Sequence, residues 1–276
     1  MSFSFRLRLK FWGVRGSIPT PTPANLGYGG NTTCLEIGLP TGKSIVIDCG
    51  TGVRSLGMDL AKTNSNSLRL HFLLTHFHWD HIQGLPFFAP LYSPTTEVTF
   101  HSGLRPEGAR EVLEGQMSSP YFPVNFELLA AKRAFVYSAP EGFYCEDAFV
   151  RPFPLNHPQG ATGYRIERDG AVIVHASDLE HGNAKLDKTL LEYAQDADLL
   201  VYDAQYTPEE YLTKKGWGHS TWLEATKLAA KAGVKRLLLF HHDPSHDDLT
   251  LHGICTNARQ EFQATEMARE GDAFDV

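Results

Sequence analysis

Cysteine is scarce in this chain: Cys34, Cys49, Cys145 and Cys255 are the four among 276 residues, and no two form a CxxC pair. Spacing this wide does not suggest a disulfide framework and fits a reducing compartment. Long apolar runs are also missing, so no segment reaches the length needed to cross a bilayer. The stretch from Met1 to Trp12 alternates Phe3, Phe5, Leu7, Leu9 and Phe11 with Ser4, Arg6, Arg8 and Lys10. That pattern predicts a half-buried strand and lacks the continuous apolar stretch of an export signal. A cytoplasmic protein with no membrane attachment is expected. Basic residues are outnumbered, 25 Lys and Arg against 32 Asp and Glu, for a net charge of -7. This argues against an extended, sequence-independent grip on nucleic acid. A small phosphorylated substrate stays compatible, because a bound cation can supply the local positive charge.

Apolar residues make up 42% of the chain and charged residues 21%, enough to fill a substantial core. No internal repeat, low-complexity tract or dividing linker is visible, so residues 1–276 read as a single domain. A loop rich in turn formers, Gly13 to Gly30, follows the first strand. Further strands are predicted at Thr32–Ile37, Ser44–Ile47, Leu68–Leu74, Glu97–His101, Ala134–Tyr137, Ala148–Leu155, Gly163–Glu167 and Ala171–His175. Helices are predicted from Gly52 to about Lys62 and over Pro106–Gln116. The last third alternates helix and strand: Ala184–Ala194, Leu199–Tyr202, Thr221–Ala232, Arg236–Phe240, and a final helix near His252–Arg269. Two strand-rich halves, each with helices, imply two packed sheets with helices outside.

The chemistry concentrates in Thr75-His76-Phe77-His78-Trp79-Asp80-His81, just where the apolar strand Leu68–Leu74 ends. Imidazole nitrogens and a carboxylate suit zinc or manganese, and three histidines beside an aspartate on one turn have no evident packing purpose. A single turn cannot close a site for two metals, so distant donors are required. His157, Asp178 and His241 each follow an apolar, strand-like stretch, and this shared position raises all three together. Each alone would more often be a cap or a backbone-paired histidine.

With these residues the chain resembles the metallo-β-lactamase fold superfamily from Lys10 to Asp243. It is most similar to the phosphodiesterase branch that includes ribonuclease Z and small cyclic-phosphate phosphodiesterases. Gly29-Gly30-Asn31-Thr32-Thr33-Cys34 and Ile47-Asp48-Cys49-Gly50-Thr51-Gly52 resemble the segments of the family's first hairpin. The resemblance implies an α/β fold, a four-layer αββα sandwich with two divalent metal ions at one edge of the sheets. His76, His78 and His157 would hold one ion, Asp80, His81 and His241 the other, and Asp178 would bridge them. Zinc is expected first, with manganese as the alternative, because an aspartate bridge makes a harder site than a cysteine. His241 is preferred over His242 because it follows the apolar run in the family's register.

Gly216-Trp217-Gly218-His219-Ser220-Thr221 precedes an amphipathic helix with Ser220 or Thr221 as N-cap. It resembles a ribonuclease Z motif whose histidine lies beside the reacting phosphate without binding metal. His219 is therefore expected to protonate the leaving alkoxide, with Asp203 a candidate to orient it. Asp80 and Asp178 serve first as ligands, then as groups that can steer the nucleophile's proton. Phe77, Trp79, Tyr121 and Phe122 are candidates to line a base-sized pocket, whereas His71 reads as packed within its strand. The expected function is hydrolysis of a small cyclic or nucleotide phosphodiester. Competing functions are thioester or lactone hydrolysis on the same fold, tRNA 3′ processing, and a non-catalytic metal-binding regulator. No basic arm of the kind tRNA processing uses is visible, and intact His78 and His81 argue against a redox relative. The resemblance also makes a homodimer an expectation, although no heptad or exposed apolar helix supports it.

Overall fold

The computed structural model describes residues 5–63 and 67–276. Strands β1 (Arg8–Gly13), β2 (Cys34–Gly38) and β3 (Ser44–Ile47) precede helix α1 (Val53–Leu60) and strand β4 (Leu68–Leu74). A one-turn helix α2 (Trp79–Ile82), strand β5 (Thr96–Ser102), helix α3 (Pro106–Gln116) and strand β6 (Lys132–Tyr137) complete the first half. The second half opens with the antiparallel strands β7 (Phe143–Cys145), β8 (Ala148–Leu155), β9 (Ala161–Arg168) and β10 (Ala171–Ala176). It continues with α4 (Ala184–Ala194), β11 (Leu199–Asp203), α5 (Pro208–Lys214), α6 (Trp222–Ala232), β12 (Arg236–Phe240) and α7 (Asp248–Glu261). The short strands β13 (Thr265–Met267) and β14 (Ala273–Asp275) end the chain.

One sheet has the order β14-β1-β2-β3-β4-β5-β6 and the other β13-β12-β11-β10-β9-β8-β7. Their inner faces meet through Leu9, Phe11, Ile45, Ile47 and Leu73 on one side and Val150, Ile166, Ile173, Val201 and Leu238 on the other. Helices α1 and α3 cover the outer face of the first sheet, with Leu56 and Leu113 packed in a cluster with Val46, Phe72 and Phe100. Helices α4, α6 and α7 cover the second through Leu190, Ala229 and Leu251. The result is the four-layer αββα sandwich expected from the sequence. It explains why β12 reads as an unbroken apolar run: Leu237 and Leu239 face the helices, Leu238 and Phe240 the other sheet. Each such buried side chain contributes about 1.5–3 kcal/mol relative to exposure.

Strand direction then fixes where the chemistry sits. Strands β10, β11 and β12 are mutually parallel. Two antiparallel steps, from β8 to β9 to β10, return β8 to that same direction. The residues following β8, β10, β11 and β12 therefore emerge at one edge. The end of β4 joins that edge across the sheets: Thr162 N donates to Thr75 O at 2.9 Å and Tyr164 Oη to Leu74 O at 2.8 Å.

Several sequence expectations need correction. The first strand begins at Arg8, not near Met1, and residues 1–4 lie outside the described residues. The second strand begins at Cys34 instead of Thr32. The final helix spans Asp248–Glu261, not His252–Arg269; the residues after it turn into β13, paired in parallel with β12. Gln263, Ala264, Glu266 and Met267 have helical preferences, but completing the edge of the sheet overrides them. Strands β7 and β14 and helix α5 were not anticipated, since three-residue strands carry too little periodicity to register. Of the two N-cap candidates, Thr221 is the one that caps α6, accepting from Glu224 N as expected. Among the described residues, no helix is long and apolar enough to cross a membrane.

Candidate metal centre

The turn after β4 delivers its histidines because helix α2 starts at Trp79, placing Asp80 and His81 in its first turn, both buried. His157 follows β8, Asp178 follows β10, and His241 follows β12. Asp178 and His241 adopt left-handed backbone, φ 64° and 62°, as does Asp48 at φ 58°. Non-glycine residues in that region cost about 1–3 kcal/mol each, strain that the surrounding structure sustains at functional edges. The structure gathers the predicted donors into two sets, His76, His78, His157 and Asp80, His81, Asp178, His241, with donor atoms in each set within 4.8 Å of one another. Asp178 links them. Its Oδ2 is 3.1 Å from His81 Nε2 and 3.3 Å from His241 Nε2, and its Oδ1 is 3.9 Å from both His76 Nε2 and His157 Nε2. Asp80 Oδ2 lies 3.2 Å from His241 Nε2 and 3.4 Å from His81 Nε2.

Each of the five histidines is held from behind by its other nitrogen. His81 Nδ1 donates to Asp48 Oδ2 at 2.7 Å, His157 Nδ1 to Gly218 O at 2.8 Å, and His241 Nδ1 to Gln205 Oε1 at 2.9 Å. His78 Nε2 donates to Gln159 Oε1 at 3.0 Å, and His76 Nδ1 is 3.1 Å from Thr75 Oγ1. Such outer partners fix the tautomer and aim the remaining lone pair inward. His157 Nε2 and His78 Nδ1 consequently face each other at 3.1 Å, while buried His76 Nε2 and His81 Nε2 have no hydrogen-bond partner. Converging lone pairs repel unless a proton or a cation lies between them. Nitrogen and carboxylate donors in this number fit two divalent cations.

The electrostatics of the ion-free residues agree. Burial alone would lower the His81 pKa, but Asp178, Asp80 and Asp48 outweigh it and raise it well above the usual value. Burial likewise opposes His241, yet Asp178 and Asp80 bring it up to about 9. Burial would raise both carboxyls, and the facing histidines instead hold Asp80 and Asp178 below the ordinary range. Desolvation keeps His76 and His157 neutral.

His219 lies beside these donors in an arrangement of its own. Its Nδ1 donates to Asp203 Oδ2 at 2.9 Å, and its ring stacks on His241 at 4.9 Å. Asp203, fully buried, also accepts from the backbone N–H groups of Asp178, Gln205 and Ser220. Gly218 turns at φ 88°, and a Cβ there would lie 2.5 Å from His157 Nδ1, so the glycine lets the His219 loop close on His157. Gly16 is equally constrained, because a Cβ would come within 2.4 Å of His241 Nδ1. Next to it, Ser17 N donates to Asp80 Oδ2 at 2.8 Å.

A model of the beta-lactamase superfamily domain matches residues 43–242. The chain belongs to that family. Ribonuclease Z of Thermoplasma acidophilum is 24% identical over 98% of this chain and 96% of its own length. A diphosphatase from the PhnP family superposes with a TM-score of 0.73 at 19% identity, covering 98% of each chain. Human tRNase Z, short form, gives 0.66 at 20% identity over 98% of this chain and 99% of its own. These likenesses show the metallo-β-lactamase fold, and the relatives this chain matches are metal-dependent hydrolases of that superfamily.

Within this superfamily member, sequence reasoning passed over Asp48, Gln205 and Gln159. Asp48 had a signal, since it ends an apolar strand as the recognised donors do. Gln205 and Gln159 had none. His242 turns away from the site and donates from Nε2 to Ala268 O at 2.8 Å. Asn31 is tied to Glu270. Phe77 lines a cavity of about 480 Å³ with Leu104, Val112, Gln159 and Thr162, next to His76 and His78. Phe122 packs on Phe87, and Trp79 and Tyr121 are exposed.

Proposed function

We propose that this chain is a dinuclear phosphodiesterase acting on a small cyclic or nucleotide phosphodiester. The observation that carries the reading is His219, buried against Asp178 and His241 while its Nδ1 is committed to Asp203. That commitment leaves Nε2 to exchange a proton with a leaving group. His76, His78 and His157 would hold one cation, Asp80, His81 and His241 the second, and Asp178 both. Two divalent cations so held supply a water of lowered pKa and neutralise charge on the phosphoryl oxygens. Asp203 orients His219 through that hydrogen bond, as a positioning carboxylate behind the group that meets the departing alkoxide. Zinc and manganese both suit a donor set with no sulfur.

The cavity beside His76 and His78 has no Lys or Arg in its lining, and its Phe77, Leu104 and Val112 suit a neutral base or sugar. The four buried, free cysteines support a cytoplasmic setting. RNA is the second substrate reading, favoured by the ribonuclease Z relatives. The net charge of -7 speaks against a long polyanion. The test is a screen of zinc- and manganese-loaded protein against cyclic and nucleotide phosphodiesters, a structured RNA, thioesters and lactones. Cleavage of small phosphodiesters well above the rest is expected. Preference for a thioester or lactone would overturn the substrate class, and preference for RNA would move the chain to the second reading.

A further inference from the structure

A second set of donors lies five residues back along β4, about 16 Å from His76 by strand rise. His71 on β4 and His101 on β5 share the inner face of the first sheet, where Leu73 pairs with His101 and His71 with Thr99. Across the interior, the edge strand β7 of the second sheet brings up Cys145. His71 Nδ1 and His101 Nε2 are 3.0 Å apart, and Cys145 Sγ is 3.9 Å from His101 Nε2. All three donor atoms lie within 4.8 Å of one another. His101 and Cys145 are buried, and Phe143 stacks on His101 at 4.6 Å with the rings 4° from parallel. Behind His71, Nε2 is 3.7 Å from Glu146 Oε1, and Glu146 also pairs with Lys43. Glu146 occupies the turn between β7 and β8 at φ 55°, a conformation that favours glycine or asparagine.

We propose that His71, His101 and Cys145 form a further metal site for a borderline-soft divalent cation of the zinc class, with Glu146 orienting His71 from behind. Tetrahedral zinc with ordinary bond lengths separates two nitrogens by roughly 3.3 Å and a nitrogen from a sulfur by roughly 3.6 Å. The observed 3.0 and 3.9 Å are close to both. A carboxylate on the second nitrogen of a ligating histidine is the recurrent outer partner of such sites. On binding, the Cys145 thiol releases its proton to solvent and the thiolate takes the cation. Three protein donors leave a fourth position to water. The site would pin the inner face of the first sheet to the edge of the second. It needs none of the residues of the hydrolytic reading. The arrangement that competes with it is a metal-free hydrogen bond between His71 and His101, with Glu146 3.7 Å behind His71.

Cobalt(II) separates the two, because thiolate ligation produces a near-ultraviolet charge-transfer band that nitrogen and oxygen donors do not. The full chain exchanged into cobalt should take up one equivalent beyond the two of the metal centre and show that band. Cys145→Ser should abolish the band and the extra equivalent while the other two remain. Glu146→Gln should weaken the extra site ~10–100-fold without touching the rest. Absence of the band in the unmutated chain overturns the site, however any variant folds. So does a band that survives Cys145→Ser.

Discussion

The two sheets furnish the candidate metal centre in different ways. The first delivers His76, His78, Asp80 and His81 from a single turn after β4, whereas the second sends His157, Asp178 and His241 one at a time from separate strand ends. A turn can be aimed largely by its own local structure: α2 sets Asp80 and His81, with Asp48 and Ser17 N holding them in place. Dispersed donors can be aimed only by strand register and by outer partners such as Gln205 and Gly218 O. The contiguous half carries identity, and the dispersed half carries geometry.

The sharpest break in that comparison is at Asp178, the dispersed residue that touches donors of both sets. Asp178→Ala should drop the metal content of this centre from two equivalents to less than one and take hydrolysis below detection. His78→Ala, in the contiguous turn, should lose one equivalent only. Elemental analysis of both variants decides it, and equal losses would dissolve the distinction.

His219 comes next. His219→Ala should slow cleavage of a nucleoside phosphodiester ~10²–10⁴-fold, the usual reach of general acid catalysis. An activated aryl ester, whose leaving group needs no proton, should suffer far less. Full metal content in the variant is part of the expectation, because Nδ1 of His219 also lies near Asp178 and His241. Equal losses on both esters, or a lost ion, would remove His219 from the acid role.

Outer partners offer a matched test of the two halves. Asp48→Asn behind His81 and Gln205→Ala behind His241 should each weaken metal affinity ~10–100-fold. A Gln205 variant with unchanged affinity would mean that register alone aims His241.

Acidity sharpens the comparison further. Burial opposes the charge on His241, but Asp178 and Asp80 raise its pKa to about 9, so an incoming cation must displace a proton. Metal affinity should therefore climb as the pH rises toward 9. Calorimetric titration of metal-free protein in zinc across that range checks the slope, and a flat response would show that His241 is already neutral. The smallest effect belongs to Trp79, exposed on the contiguous turn. Trp79→Ala should leave stability within about 0.5 kcal/mol, read from denaturant unfolding, in keeping with surface substitutions generally.

Local patterning was enough for much of this protein. The apolar runs Leu68–Leu74, Ala148–Leu155 and Arg236–Phe240 are strands with the same bounds in sequence and structure, because both faces of a sandwiched sheet demand apolar side chains. The HxHxDH turn is equally plain, since its residues are neighbours in the chain. Other features depended on contacts made tens of residues apart. The pairing of β13 with β12 ended α7 early. The union of His71, His101 and Cys145 required β4, β5 and β7 to meet. His71, read as a packed strand residue, does lie within β4, and it meets His101 and Cys145 together only because the edge of the second sheet closes over it. The sequence by itself determined the apolar periodicity, the layer architecture and the donor-rich turn, because these follow from near neighbours. Tertiary structure alone decided which isolated side chains face one another, because strand order and register are set by the packing of the whole sandwich.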